Sequence, residues 1–147
     1  MSLPGVVLDT NILLDWLVFG DPSSARLESA LQAGRVAWLA TLAMHDEMAH
    51  VLQRGLGTRW PVHDARWRAA WSQHVAWQAV PACAPAWPRC SDPDDQKFVD
   101  LAIAAGARWL ASRDRALLKL RRRLKAHGIE VVTPPDWPAA FDRHDAG

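Results

Sequence analysis

The stretch Val6-Val7-Leu8-Asp9-Thr10-Asn11 decides the fold of this chain. Three apolar residues, two of them β-branched, lead directly into an aspartate, and an apolar-periodic run follows from Ile12 to Leu17. This pattern predicts a buried strand, a sharp turn and a helix, with Asp9 at the carboxyl end of the strand. Ligands bind at that end of the strands in open α/β sheets. Because an unpaired buried carboxylate is costly, we expect Asp9 to anchor a divalent-cation site.

Length and composition are those of a globular protein. The 147 residues, half of them hydrophobic, predict a single domain over 1–147 whose tail from about residue 136 is peripheral. The net charge of +1 gives no overall attraction to nucleic acid, so such contacts have to come from local patches. No leader or membrane-spanning stretch is visible, and we expect a cytoplasmic protein without a membrane partner.

The rest of the chain alternates between predicted helices and strands. Apolar periodicity, caps and breakers predict helices at 12–17, 21–34, 41–53, 62–79, 91–106 and 114–127. Short β-branched or aromatic runs predict strands at 6–8, 36–39, 109–111 and 129–132. Strands that alternate with helices indicate an α/β fold with a parallel sheet covered on both faces.

Helical phase separates acids that face the core from acids that face water. In the third predicted helix Glu47 lies on the edge of the buried apolar stripe, whereas Asp46 points to solvent. In the fifth, Asp95 projects within the apolar side and Asp100 is expected to be solvated. Helix capping stays open as the alternative for Asp95, and it is the simpler explanation for Asp92, which precedes a proline.

Asp114 completes a set of four acids because it again stands just past a predicted strand. Capping explains Asp114 alone, but no single explanation of this kind accounts for the whole set of Asp9, Glu47, Asp95 and Asp114. Four carboxylates in one cleft require protons or cations between them. Hard oxygen ligands without thiols favour Mg²⁺ or Mn²⁺. Such an ion polarises a phosphodiester and activates water, so the set predicts phosphodiester hydrolysis.

At this point the residues resemble those of the PIN-domain nucleases, over nearly the whole chain from Val6 to about Trp137. The motifs that carry the resemblance are Leu-Asp-Thr-Asn at 8–11, the helix at 41–52, Asp-Pro-Asp-Asp at 92–95 with Phe98, and Ser-Arg-Asp at 112–114. The ending Gly-Ile-Glu-Val-Val-Thr-Pro at 128–134 also resembles the branch of toxin components from bacterial type II toxin–antitoxin systems.

The resemblance implies a PIN-like three-layer α/β/α fold with a central parallel sheet of four to five strands. It implies a Mg²⁺- or Mn²⁺-dependent endoribonuclease that cleaves single-stranded RNA, with a cognate antitoxin and a second copy of the chain as partners. The catalytic and metal-binding positions correspond to Asp9, Glu47, Asp95 and Asp114. Asn11 and Ser112 correspond to polar residues that support the first and last of these acids.

Two positions depart from the commoner family pattern. Arg113 stands where related sequences often have glycine, and Gln96 stands where many continue the acidic run. Neither change removes a ligand. Asp92 or Asp94 remains open as a replacement for Asp95 or as a companion to it.

Basic residues crowd the segment directly after Asp114. They are Arg115, Lys119, Arg121, Arg122, Arg123 and Lys125, with Arg113 just before the aspartate. A solvated helix face and a surface for RNA phosphates are both compatible with this run. No base-reading motif is present, so the sequence does not indicate a target RNA.

Other function classes fit less well. A receiver-like phosphoacceptor domain needs an aspartate after a middle strand and a lysine after a later one, whereas Thr41 and Thr133 follow the corresponding strands here. A phosphotransferase of the haloacid dehalogenase type needs a second aspartate two residues after the first, where this chain has Asn11. A catalytically degenerate PIN fold that only binds RNA or a protein remains the main alternative.

Overall fold

Five short parallel strands form the centre of the protein, for which a computed structural model describes residues 3–55, 64–82 and 86–137. The strands are β1 (Gly5–Leu8), β2 (Ala37–Ala40), β3 (Val75–Trp77), β4 (Trp109–Ala111) and β5 (Glu130–Val132). Their order in the sheet is β3-β2-β1-β4-β5, and every pairing is parallel. This topology confirms the predicted α/β class, and helices flank the sheet as in a three-layer α/β/α fold.

The helices connect successive strands. They are α1 (Thr10–Leu14), α2 (Ala25–Gln32), α3 (Leu42–Arg54), α4 (Asp64–His74), α5 (Gln96–Ala104), α6 (Arg115–Leu118) and α7 (Arg121–Lys125). A π-helical turn at Asp15–Phe19 extends α1, and 3₁₀ turns at Pro22–Ser24 and Pro93–Asp95 lead into α2 and α5. Within these described parts of the chain, no helix is long and apolar enough to cross a membrane.

The core is built on the central strands. Val6, Val7 and Leu8 of β1 are all buried, as expected for a strand covered on both faces. Beside them, Trp38 of β2 is completely buried between Trp16 and Trp71, with ring centroids 5.5 and 4.4 Å away. Several tryptophans therefore serve as core bulk, as large aromatic side chains commonly do.

The predicted helix at 62–79 is wrong from residue 75 onward, and its residues 62 and 63 lie outside the described residues. The helix α4 ends at His74, and Val75–Trp77 forms the edge strand β3, in register with Trp38–Ala40 of β2. Local spacing favoured a helix, but these β-branched and aromatic residues gain hydrogen bonds and packing only when β2 is beside them. The extra strand brings the sheet to five.

Two further expectations need correction. Asp100 was expected to be solvated, but it is buried in α5 and its Oδ1 accepts a hydrogen bond of 3.0 Å from Gln96 Nε2. The predicted helix at 114–127 is divided into α6 and α7.

Near the end of the described chain, Trp137 is buried and its Nε1 donates to the carbonyl of Ser23 at 2.8 Å.

Candidate metal centre

Sheet register brings two polar residues together at the carboxyl edge. Leu8 of β1 pairs with Ala111 of β4, so the residues that follow them, Asp9 and Ser112, emerge side by side. The backbone N–H of Asp9 donates to the carbonyl of Ala111 at 3.2 Å, which extends the ladder by one step. Both Asp9 and Ser112 are buried.

Three of the acids at this edge are helix caps. Asp9, Asp92 and Asp114 each use Oδ1 to accept a backbone N–H, from Ile12 (2.9 Å), Asp94 (3.0 Å) and Ala116 (2.8 Å). A cap of this kind fixes the rotamer of the carboxylate and leaves Oδ2 directed elsewhere. Asp95 makes no side-chain capping hydrogen bond. Capping and site formation are therefore compatible for these acids.

Ser112 connects the first acid to the last. Its Oγ donates to Asp9 Oδ2 at 2.5 Å and accepts from the backbone N–H of Asp114 at 2.9 Å. The hydroxyl therefore holds the carboxylates that follow β1 and β4 in a defined relation. The two oxygens of Asp9 are both engaged, one by Ile12 and one by Ser112.

Asp92, Asp95 and Asp114 form the tightest acidic group in the described part of the chain. Each offers a carboxylate oxygen, and these oxygens lie within 4.8 Å of one another. Asp95 Oδ2 is buried and has no hydrogen-bond partner among the described residues. Burial raises the pKa of Asp95 to about 7, and a hydrogen bond with Asp114 and the negative charges around it add to the effect.

Asp9 lies next to this group, and its pKa is raised as well. Burial raises the pKa of Asp9 to about 6, and the hydrogen bonds from Ser112 and Ile12 only partly oppose that shift. The charge of Asp114 raises it further. In the described structure, none of Asp92, Asp95 and Asp114 makes an ion pair with lysine or arginine.

Glu47 is not in the group of carboxylates that lie within 4.8 Å of one another. Its Oε2 lies 2.7 Å from Lys97 Nζ and 3.4 Å from Thr10 Oγ1, and the side chain is about one third exposed. The structure therefore brings Glu47 against α1 and α5, where a lysine neutralises it. Asp46, its neighbour on α3, is exposed as predicted.

The remaining predicted residues are also described. Asn11 is exposed in the first turn of α1. Arg113 is one of the two residues that differ from the commoner family pattern. Its Nη2 lies 2.8 Å from both carboxylate oxygens of the buried Asp15. Gln96, the other, donates to the carbonyl of Pro88 at 2.9 Å and accepts from the backbone N–H of Cys90 at 2.6 Å. Both departures thus stabilise the segments that carry the acids.

A comparison with protein-family models matches residues 5–116 to the PIN domain. The chain belongs to the PIN domain family. The match covers the segments of this PIN domain that carry all the candidate acids, from Asp9 to Asp114. No curated protein sequence matches the chain significantly.

The residues present fit a hard divalent cation. Mg²⁺ and Mn²⁺ bind carboxylate oxygens, and Asp92, Asp95 and Asp114 offer three that lack a cationic partner in the described structure. The buried, unpartnered Oδ2 of Asp95 is the kind of atom that a metal ion satisfies. Sequence reasoning left Asp92 open and did not single out Lys97. The signal for Lys97 was its position two residues after Asp95, in the first turn of the same helix.

Proposed function

We propose that this PIN domain is a metal-dependent endoribonuclease that hydrolyses phosphodiester bonds of single-stranded RNA with Mg²⁺ or Mn²⁺. The observation that carries the proposal is the group of Asp92, Asp95 and Asp114, of which Asp95 has a buried oxygen without a hydrogen-bond partner, with Asp9 nearby. Family membership supports the same reading, because PIN domains are generally metal-dependent nucleases.

The chain's residues would divide the work as follows. Asp92, Asp95 and Asp114 hold the ion, which supplies charge stabilisation and an activated water when bound. Ser112 keeps Asp9 and Asp114 in register, as partners behind metal ligands do. Asp9 adds negative charge close to Asp95 and Asp114. The exposed basic side chains of α6 and α7 offer contacts to the RNA phosphates on either side of the cut.

The proposed nuclease activity is tested by measuring how fast the Asp9→Asn variant cleaves a single-stranded RNA in the presence of Mn²⁺. We expect the cleavage rate to fall by at least ~10²-fold, the size of effect typical for loss of one group that stabilises the transition state. Asp46→Asn is the matched control, because Asp46 is exposed on α3, and it should cleave like the wild type. Equal rates for both variants would show that Asp9 takes no part in cleavage, and no cleavage by the wild type would point to a degenerate PIN fold that only binds.

We further propose that the nuclease is the toxin of a toxin–antitoxin pair, that it acts in the cytoplasm and that it forms a homodimer. This rests on the family resemblance of the ending 128–134. Conditional expression should arrest growth, and a small antitoxin reading frame should adjoin the gene and relieve the arrest. A sedimentation mass of one chain would refute the dimer, and unimpaired growth would refute the toxin role.

A further inference from the structure

Lys97 occupies a defined position beside the metal centre. It lies in the first turn of α5, two residues after Asp95. Its Nζ is 2.7 Å from Glu47 Oε2, donates to the carbonyl of Asp94 at 2.6 Å and lies 5.1 Å from the ring centroid of the buried Phe98. Three contacts thus hold one ammonium group at the Glu47 side of the acidic edge.

The acids therefore divide into two groups by their source of positive charge. Asp92, Asp95 and Asp114 have no lysine or arginine partner in the described structure, and one of their oxygens is orphaned. Glu47 already has a cation, supplied by the chain itself. A phosphodiester under attack accumulates negative charge, which two metal ions stabilise in many nucleases and which a fixed ammonium can also stabilise.

We propose that Lys97 takes the place of a second metal ion, so that the centre binds one divalent cation at Asp92, Asp95 and Asp114. This inference rests on the proposed nuclease function. The ammonium neutralises Glu47 in the free protein and donates a hydrogen bond to a non-bridging oxygen of the scissile phosphate. Lys97 remains protonated throughout and exchanges no proton with substrate.

Ion stoichiometry tests the proposal directly, by calorimetric titration of the full chain with Mn²⁺ and by counting bound Mn²⁺ with electron paramagnetic resonance. The wild type should bind one ion. Lys97→Met keeps the length of the side chain and removes its charge, so the released Glu47 should admit a second ion. Lys97→Arg keeps the charge and should bind one. The double variant Lys97→Met, Glu47→Gln should return to one.

Cleavage kinetics give an independent signature. For Lys97→Met we expect a loss of about 10²-fold at low Mn²⁺. Higher Mn²⁺ should restore much of that loss, with a Hill coefficient for the metal that rises from about 1 to about 2. Lys119→Met, at an exposed lysine of the basic surface after α6, is the control for loss of a positive charge: whatever it does to RNA affinity, it should keep the wild-type midpoint and Hill coefficient for Mn²⁺.

Several outcomes would overturn the proposal. Two ions in the wild type would do so without any variant, and so would a single ion in a folded Lys97→Met. A second ion that persists in the double variant would place it away from Glu47 and contradict the assignment. If the wild type binds no ion at all, the proposed function fails together with this inference, whereas the other outcomes leave the metal centre intact.

Discussion

At the scale of single residues, most acids of the candidate site also cap a helix, and Asp95 is the exception. Asp9, Asp92 and Asp114 are N-caps, and each would have a sufficient local explanation if it stood alone. Asp95 is the acid without such a role, and it carries the buried orphan oxygen and the pKa raised to about 7. The demand for a cation is therefore strongest at Asp95.

The raised pKa of Asp95 predicts how pH affects the metal-free protein. Burial raises the pKa of Asp95 from 3.8 to about 7, so between these pH values the folded state binds a proton that the unfolded state releases. The free energy of unfolding therefore falls as the pH rises from about 4 to about 7. Asp95→Asn removes the penalty. At pH 8 in chelator, its Tm should exceed that of the wild type by roughly 2–4 °C, the shift expected for about 1 kcal/mol after solvent screening.

Thermal unfolding at pH 4 and pH 8 checks this prediction. The difference between Asp95→Asn and the wild type should become small at pH 4, where Asp95 is protonated in the folded state and only about half ionised in the unfolded state. Asp94→Asn, which changes an exposed neighbour, is the control and should show no such pH dependence. A wild type as stable as Asp95→Asn at pH 8 without metal would contradict the prediction that the ionised Asp95 side chain destabilises the folded protein.

The pair of Arg113 and Asp15 gives a second prediction at this scale. Burial raises the pKa of Asp15, and the guanidinium of Arg113 opposes that shift. Arg113→Met leaves the buried carboxylate uncompensated and should cost about 1–3 kcal/mol at pH 8, a value reduced for the exposure of Arg113. The loss should become smaller as the pH is lowered, because the raised pKa of Asp15 lets protonation relieve the buried charge.

Urea unfolding of a double-mutant cycle measures this coupling. Adding Asp15→Asn to Arg113→Met should recover most of the lost stability, since no charge then remains buried. Arg115→Met changes an exposed arginine two positions away and should be close to neutral. Additive effects of the two substitutions would show that the ion pair contributes nothing.

At the scale of elements, tryptophans bind the edge of the sheet to α3 and α4. Trp77 at the end of β3 lies 5.6 Å from Trp71 of α4 in a stacked arrangement, and Trp71 Nε1 donates to Met48 Sδ of α3 at 3.3 Å. Trp38 of β2 lies beneath them. This packing explains why Val75–Trp77 is a strand although the preceding residues are helical.

Burial predicts very different costs for two tryptophans of this cluster. Trp38 is completely buried, and Trp38→Ala should destabilise the protein by about 3–5 kcal/mol, because it removes a large side chain and leaves a cavity. Trp77 is 51% exposed, and Trp77→Ala should cost less than about 1.5 kcal/mol. Chemical denaturation measures both, and similar costs for the two would contradict the packing described here.

At the scale of the whole molecule, the proposed metal centre joins distant parts of the chain. Its acids follow β1, begin α5 and follow β4, so unfolding separates them. An ion that binds only the folded protein stabilises it by mass action. At 100 times the dissociation constant the gain is about 2.7 kcal/mol, or roughly 5–11 °C in Tm for a chain of this size.

Thermal melts with and without Mn²⁺ check this linkage. The increase should be reversed by chelator and be much smaller in Asp95→Asn, which lacks the central carboxylate. Na⁺ at equal ionic strength is the control for general screening. A Tm unaffected by Mn²⁺ and Mg²⁺ would remove the metal centre as a feature of this fold.

The sequence by itself determined the features that depend on local order. Apolar runs placed β1, β2, β4 and β5, and the position of each acid relative to a strand end or a helix face selected Asp9, Glu47, Asp95 and Asp114 for attention. The strand positions are confirmed because strand burial is set by residues within a few positions of one another, whereas the choice of the four acids as metal ligands stays a prediction.

Only the tertiary structure decided which groups meet. The strand β3 requires β2 beside it, and Asp100 is buried because other elements cover α5. Likewise the grouping of Asp92 with Asp95 and Asp114, and the pairing of Glu47 with Lys97, join α3, α5 and the end of β4. Contacts across such separations depend on how the elements pack, because local spacing carries no information about distance through space.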